Sequence, residues 1–144
     1  MDLQNKAIKL NQVVTTKEEA IKLAGQTLVD AGFVQPEYIN SMLKREDVLS
    51  TYMGNFIAIP HGVDGSQDQI IESGISIIQL NQSVNFGEPG SDKDVLIVFG
   101  IAGKGNEHLD LLSEIAVFCS EIENVQKLAE AATVEDVKAL LGGN

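Results

Sequence analysis

The chain has 144 residues, room for one ordinary domain rather than two, and its 44% hydrophobic and 22% charged content is that of a folded globular protein. A formal charge of −11 argues against a nucleic-acid backbone or an anionic membrane surface as partner, since clustered Lys and Arg hold both. It leaves room for a single phosphoryl group, because charges beyond about 8–10 Å are largely screened at cellular salt. It also favours a basic protein partner drawn in by long-range attraction.

A domain of this length buries roughly 70% of its unfolded surface and needs neither disulfides nor a structural metal. Trp is absent and aromatic residues make up 5%, so the core should be aliphatic. The one cysteine, Cys119, lies in the apolar run Ile115-Ala116-Val117-Phe118-Cys119 and reads as a small buried hydrophobe in a reducing compartment. No twenty-residue apolar span occurs, and Met1-Asp2-Leu3-Gln4-Asn5-Lys6 lacks an apolar leader. A cytoplasmic protein with no direct membrane insertion is expected.

In chain order, Thr16-Lys17-Glu18-Glu19 is a capping box, followed by Ala20, Leu23, Ala24, Thr27, Leu28 and Ala31 at helical spacing. Gly32 is placed to end that helix in the left-handed conformation. Pro36 suits the first turn of a second helix with Ile39, Met42 and Leu43 inward. Phe56-Ile57-Ala58-Ile59 predicts a short buried strand halted by Pro60, and Gly74 to Leu80 and Val95 to Phe99 predict two more. Val84-Asn85-Phe86 could pair as a short edge segment. A glycine-bearing loop, Gly100 to Gly105, leads into a helix from about Asn106 or Glu107 through Ser120. Glu123 to Ala131 and Val134 to Leu141 read as helices, the last capped by Thr133 with Asp136 and stopped by Gly142. Residues 1–144 thus form one layered α/β domain: a central mixed sheet of about five strands with helices on both faces.

Two histidines occur. His61 is delivered by Ile57-Ala58-Ile59-Pro60 and followed by Gly62. Pro60 restricts itself and Ile59 to extended backbone, and Gly62 removes a Cβ beside the imidazole, so the pattern suits a presented nucleophile. It fits a turn histidine without a role equally well. His108, in Gly103-Lys104-Gly105-Asn106-Glu107-His108, falls where a loop enters a helix whose first N–H groups favour an anion. A plain Asn106 cap with a solvated His108 explains the same residues. Neither a Walker loop, an H-E-x-x-H zinc motif nor a G-x-S-x-G elbow is present, and Asp64 and Asp68 read as part of a solvated loop.

Met53-Gly54-Asn55-Phe56-Ile57-Ala58-Ile59-Pro60-His61-Gly62 resembles the active-site signature of enzyme IIA of the mannitol/fructose class in the bacterial sugar phosphotransferase system. Thr16-Lys17-Glu18-Glu19-Ala20-Ile21, Pro36-Glu37-Tyr38, Met42-Leu43-Lys44-Arg45-Glu46 and Gly105-Asn106-Glu107-His108 resemble its mannitol branch in particular. The resemblance spans about Thr16 to the C-terminus. It implies that His61 is phosphorylated by the phosphocarrier protein HPr, that Arg45 and His108 are the family's other active-site residues, and that a IIB domain takes the phosphoryl group on a cysteine. The membrane-embedded IIC transporter is then reached only through IIB. No ATP, cofactor or metal is implied, and Nε2 is the nitrogen expected to react. Lys104 is a weaker candidate for the phosphate. Docking should use an apolar patch around His61, with Phe56, Val63 and Leu109 as contributors unless they belong to the core. A regulatory module of the same fold, phosphorylated as a signal, is the alternative.

Overall fold

The computed structural model describes residues 3–142; Met1 and Asp2 of the N-terminal stretch discussed above lie outside it, as do Gly143 and Asn144. Strand β1 (Ile8–Gln12) precedes helices α1 (Lys17–Asp30) and α2 (Tyr38–Val48). Strands β2 (Tyr52–Gly54), β3 (Ile57–Ala58), β4 (Gly74–Asn85) and β5 (Asp94–Ala102) follow, and α3 (Glu107–Cys119), α4 (Ile122–Glu130) and α5 (Val134–Leu140) close the chain. The sheet runs β1-β4-β5-β3-β2. β1 is parallel to β4 and β3 to β5, whereas β4–β5 and β2–β3 are antiparallel. The expected mixed sheet with helices on both faces is therefore present.

Alternation along the inner strands explains the two faces. Ile78, Leu80, Val98 and Ala102 join Ala20, Ile21, Ala24 and Leu28 of α1 and Tyr38 and Met42 of α2 in one core. Ile75, Ile77, Ile97, Phe99 and Ile101 meet Ile115 and Cys119 of α3, Val125 and Leu128 of α4 and Val137 of α5 on the other face. Successive strand residues point to opposite sides, so a strand buried on both faces is mostly apolar, and its buried polar residues Ser76 and Gln79 donate to helix-side carbonyls. Cys119 is 2% exposed, and burial pushes its thiol up to about 12, which keeps it protonated and unreactive.

The capping box of α1 forms as read, with Thr16 accepting from Glu19 N–H at 3.1 Å and Glu19 accepting from Thr16 N–H at 3.2 Å. Gly32 takes φ +87° after it. Pro36 stands just ahead of α2 and accepts from Ile39 N–H at 3.2 Å, so regular helix begins at Tyr38. Thr133 caps α5 by accepting from Asp136 N–H.

Several strand expectations change: Ile59 lies past the end of β3, and Gly100 to Ala102, read as the start of a loop, extend β5. Phe56 is not in the strand: Asn55 and Phe56 have φ +50° and +66° and form the tip of the β2–β3 hairpin. That is the sign of φ a two-residue primed hairpin loop requires, although an aromatic residue adopts it only under strain. Val84-Asn85 is no edge segment but the far end of the inner strand β4, paired with Val95 and Asp94 beyond a register shift. β1 and β2 were missed because β1 alternates exposed and covered residues at a sheet edge and β2 is three residues long.

Helix α1 approaches the sheet closely over Gly100. A Cβ added there would lie 2.3 Å from Ser76 Oγ and 3.1 Å from Ala24 Cβ. Ser76 in turn donates to the Ala24 carbonyl at 2.8 Å. Gly100→Ala should therefore overpack this contact and destabilise the fold by about 1–3 kcal/mol, measured by urea unfolding. An unchanged midpoint would show that α1 can withdraw from the sheet at little cost.

Candidate functional site

β3 and β5 run parallel, Ile57 beside Ile97 and Ala58 beside Val98, so both chains leave the sheet at the same end. Open α/β sheets bind ligands outside the carboxyl ends of such strands. The pairing continues past β3 as an isolated bridge between His61 and Ile101, with Ile101 N–H donating to the Pro60 carbonyl at 2.9 Å. His61 is thereby held at the sheet's rim. Ile101 leads through Ala102 and Gly103 into the loop before α3, whose second residue is His108.

The two imidazoles meet edge-on, with ring centroids 5.1 Å apart and planes at 61°. Their approach depends on Gly103, where an added Cβ would fall 2.3 Å from His108 Cα and 2.6 Å from its N. Gln67 holds the same loop, donating to the Gly103 carbonyl at 3.2 Å and accepting from Gly105 N–H at 3.3 Å. Ser73 accepts from Lys104 N–H and donates to Glu107, both at 2.9 Å. Asn106 occupies the position before α3 without a side-chain cap, so the simple cap considered from sequence does not form.

His61 Nδ1 lies 2.8 Å from the Ile59 carbonyl. A carbonyl oxygen only accepts, so Nδ1 carries the proton and Nε2 keeps its lone pair. The Ile59 carbonyl is itself steadied: Ile59 N–H donates to Thr51 O at 3.0 Å, and Thr51 donates through N–H and Oγ1 to Glu46 Oε1 at 2.9 and 2.6 Å. Glu46 and Thr51 are buried, with Lys17 Nζ 3.9 Å from Glu46 Oε2. The turn that precedes His61 is thus tied to α2 by two hydrogen bonds to the buried Glu46 side chain.

Arg45 is in the last turn of α2, half-buried, and its Nη1 donates to the Leu49 carbonyl. Burial is the main force lowering the pKa of His61 below its ordinary value; the Ile59 contact opposes it, the charges of His108 and Arg45 lower it further, and Asp64 opposes again. His108 is lowered by burial, opposed by Asp64. His61 therefore senses the charges of Arg45 and His108, residues far from it in sequence. Asp64 is exposed, as expected of a solvated loop, yet its charge reaches both rings.

Of the three apolar residues considered for docking, Leu109 follows His108 and is 64% exposed, and Val63 is half-covered. Phe56 is 42% exposed but sits at the opposite end of β3, its carbonyl accepting from Leu96 and Ile97 N–H. Five residue steps along nearly extended chain place it about 16 Å from His61, so it lies outside any patch around that ring. Lys104 is exposed.

Sequence reasoning gave no structural role to Tyr38, Gln67 or Ser73. Tyr38 is 1% exposed, and its hydroxyl accepts from Gly62 N–H at 2.8 Å while donating to the Ile101 carbonyl at 2.8 Å. A Cβ at Gly62 would lie 2.5 Å from the Tyr38 ring. A buried phenol needs a nearby backbone partner, and a glycine beside a histidine was the visible half of that pair.

A site of this kind, with a free imidazole lone pair beside a second imidazole and within reach of the Arg45 charge, suits an anion carried covalently on nitrogen. The chain matches the family model for the phosphoenolpyruvate-dependent sugar phosphotransferase system, EIIA 2, over residues 1–143. It is 55% identical over 138 residues to the mannitol-specific phosphotransferase enzyme IIA component of Bacillus subtilis, covering 96% of this chain and 94% of that one. The crystal structure of IIA mannitol from Escherichia coli superposes with a TM-score of 0.91 at 36% identity, covering 98% of this chain and 99% of that chain. The complex of enzyme IIAMTL with phosphorylated enzyme IIBMTL from Escherichia coli gives 0.92 at 36% identity, covering 99% of each chain.

Because both histidines have lowered pKa values, the folded protein should resist their protonation at pH 6.5, where free imidazole is about half charged. The unfolded chain then binds more protons than the folded one, so stability should fall as pH drops from about 6.5 through the folded pKa values. NMR titration of the imidazole signals checks this. A His61 midpoint above 6.5 would contradict it.

Proposed function

The chain belongs to the EIIA 2 family of the phosphoenolpyruvate-dependent sugar phosphotransferase system, and from that premise we propose that His61 Nε2 takes a phosphoryl group from phosphorylated HPr and passes it to a cysteine of a mannitol-type IIB partner. The supporting observation is the 2.8 Å contact from His61 Nδ1 to the Ile59 carbonyl. It holds the proton on Nδ1 and turns the Nε2 lone pair outward as the nucleophile. The lowered pKa keeps the ring neutral near pH 7, the form that can attack phosphorus.

In the entry step, a bond forms between Nε2 and phosphorus as the donor histidine's N–P bond breaks. In the exit step, the partner thiolate forms an S–P bond and His61 recovers its lone pair. Both steps are in-line displacements that need alignment and charge stabilisation more than covalent assistance. Entry joins two like nitrogens, so it is nearly balanced energetically. Arg45 can meet two phosphoryl oxygens with its planar fork, and His108 can donate an N–H from the start of α3. Exposed Leu109 beside His108 offers an apolar contact that would exclude water when two proteins meet.

A role in mannitol uptake follows from the identity to mannitol-specific relatives across nearly the whole chain. Transfer between HPr and IIB supports a cytoplasmic location. Among the described residues no helix is long and apolar enough to cross a membrane.

With phosphoenolpyruvate, enzyme I and HPr, wild-type protein should acquire acid-labile, base-stable phosphate that is absent from His61→Ala. Label persisting in that variant rules out His61 as acceptor. Arg45→Ala and His108→Ala should each slow transfer about a hundredfold while melting cooperatively, read by single-turnover labelling. Wild-type rates would remove their roles. Phosphorylated wild type should hand its label to a mannitol-type IIB; retention of the label would instead fit phosphorylation as a regulatory signal.

A further inference from the structure

The transfer chemistry described above has no direct use for Tyr38, yet this buried phenol is tied to the backbone on both sides of the site. Tyr38 opens α2 and packs in the core shared by α1, α2 and the sheet. Its hydroxyl must find partners there, since an unpaired buried polar group is costly. It finds one on each of two chain segments, Gly62 N–H and the Ile101 carbonyl, both at 2.8 Å. Gly62 follows His61, and Ile101 is the residue bridged to His61.

Parallel pairing accounts for that choice of partners. In a parallel bridge, the residue opposite His61 receives one bond from each side: its N–H donates to the residue before His61, and its carbonyl accepts from the residue after. The first bond is direct, Ile101 N–H to Pro60 O at 2.9 Å. The second runs through the phenol: Gly62 N–H donates to Tyr38, and Tyr38 donates to Ile101 O. The hydroxyl is therefore wedged into the last rung between the two chains that carry the site. One chain has just presented His61. The other continues through Gly103, whose Cα packs against the backbone of His108.

We infer that Tyr38 is a positioning residue for phosphoryl transfer, its hydroxyl setting the separation between the His61 and His108 segments by completing the last rung of the β3–β5 pairing. It acts through backbone and not by contact with the phosphoryl group. Without the hydroxyl, Gly62 N–H and the Ile101 carbonyl either stay unpaired or close on each other, and either outcome moves His61 relative to His108. Misplacement of about 1 Å can cost a hundredfold in a reaction that depends on alignment. The inference rests on His61 being the acceptor.

The test compares Tyr38→Phe with Ser76→Ala, which removes another buried hydroxyl, one that donates to the Ala24 carbonyl on α1. Transfer from phosphorylated HPr is measured for both, together with cooperative melting. For Tyr38→Phe, kcat should fall tenfold or more with KM changed less than twofold and the label still on His61. Ser76→Ala should lose stability but keep its kcat. A Tyr38→Phe kcat within twofold of wild type, or no lower than that of Ser76→Ala, overturns the positioning role. Wild-type protein that takes no label on His61 overturns the acceptor assignment and the positioning role together; label at equal rates in wild type and Tyr38→Phe overturns only the latter. Should Tyr38→Phe not melt cooperatively, NMR of wild type decides. A slowly exchanging Tyr38 hydroxyl proton with a cross-peak to Gly62 N–H supports the wedge, and its absence overturns it.

Discussion

The parallel pairing of β3 with β5 is the constraint on which the site depends. Ile57 and Ala58 lie beside Ile97 and Val98, and the match persists to His61 beside Ile101. Antiparallel pairing would have sent the two chains out of opposite ends of the sheet, and His61 and His108 would not meet. Parallel neighbours need a long crossover. Here that crossover contains β4, so β5 arrives at β3 from the far side of an antiparallel partner. The inner strands can be buried on both faces because they are mostly apolar on both and the buried Ser76 and Gln79 of β4 are hydrogen-bonded. Helix α1 comes close enough to seal one face because Gly100 and Ala24 are small.

The rest of the chain sharpens what that pairing begins. α2 contributes at three points: Tyr38 at its start, Arg45 in its last turn and the buried Glu46 carboxylate that holds Thr51. The loops contribute through Gln67 and Ser73, which pin the segment between Gly103 and Glu107 by its backbone. The result is an imidazole whose tautomer, charge state and neighbours are set before any partner arrives. Such preorganisation suits phosphoryl transfer, where little covalent chemistry is left to the protein.

The acidic surface and a site suited to a phosphoryl group are compatible because they act over different distances. The net charge of −11 shapes approach, within the reach salt allows. At the rim of the sheet burial lowers the His61 pKa most; the charges of His108 and Arg45 lower it further, and Asp64 works against them.

Much of the chain could be read directly from residue order. The capping box at Thr16, the stop at Gly32, the α5 cap at Thr133 and the buried strands are local patterns, set by backbone bonds and side-chain period within a few residues. The Pro60-His61-Gly62 string and the segments around Arg45 and His108 supplied the three residues proposed for phosphoryl transfer. Tertiary structure decided what depends on distant partners. β1 is a strand only because β4 offers it an edge, and Val84 and Asn85 extend β4 because Val95 and Asp94 lie opposite. Phe56 leaves its strand for a left-handed turn because β2 pairs back on β3. The His61 tautomer, the 5.1 Å approach of His108 and the hydroxyl of Tyr38 in the last rung arise from chain segments that meet only on folding. No local pattern encodes a separation between residues whose positions are fixed by the sheet between them.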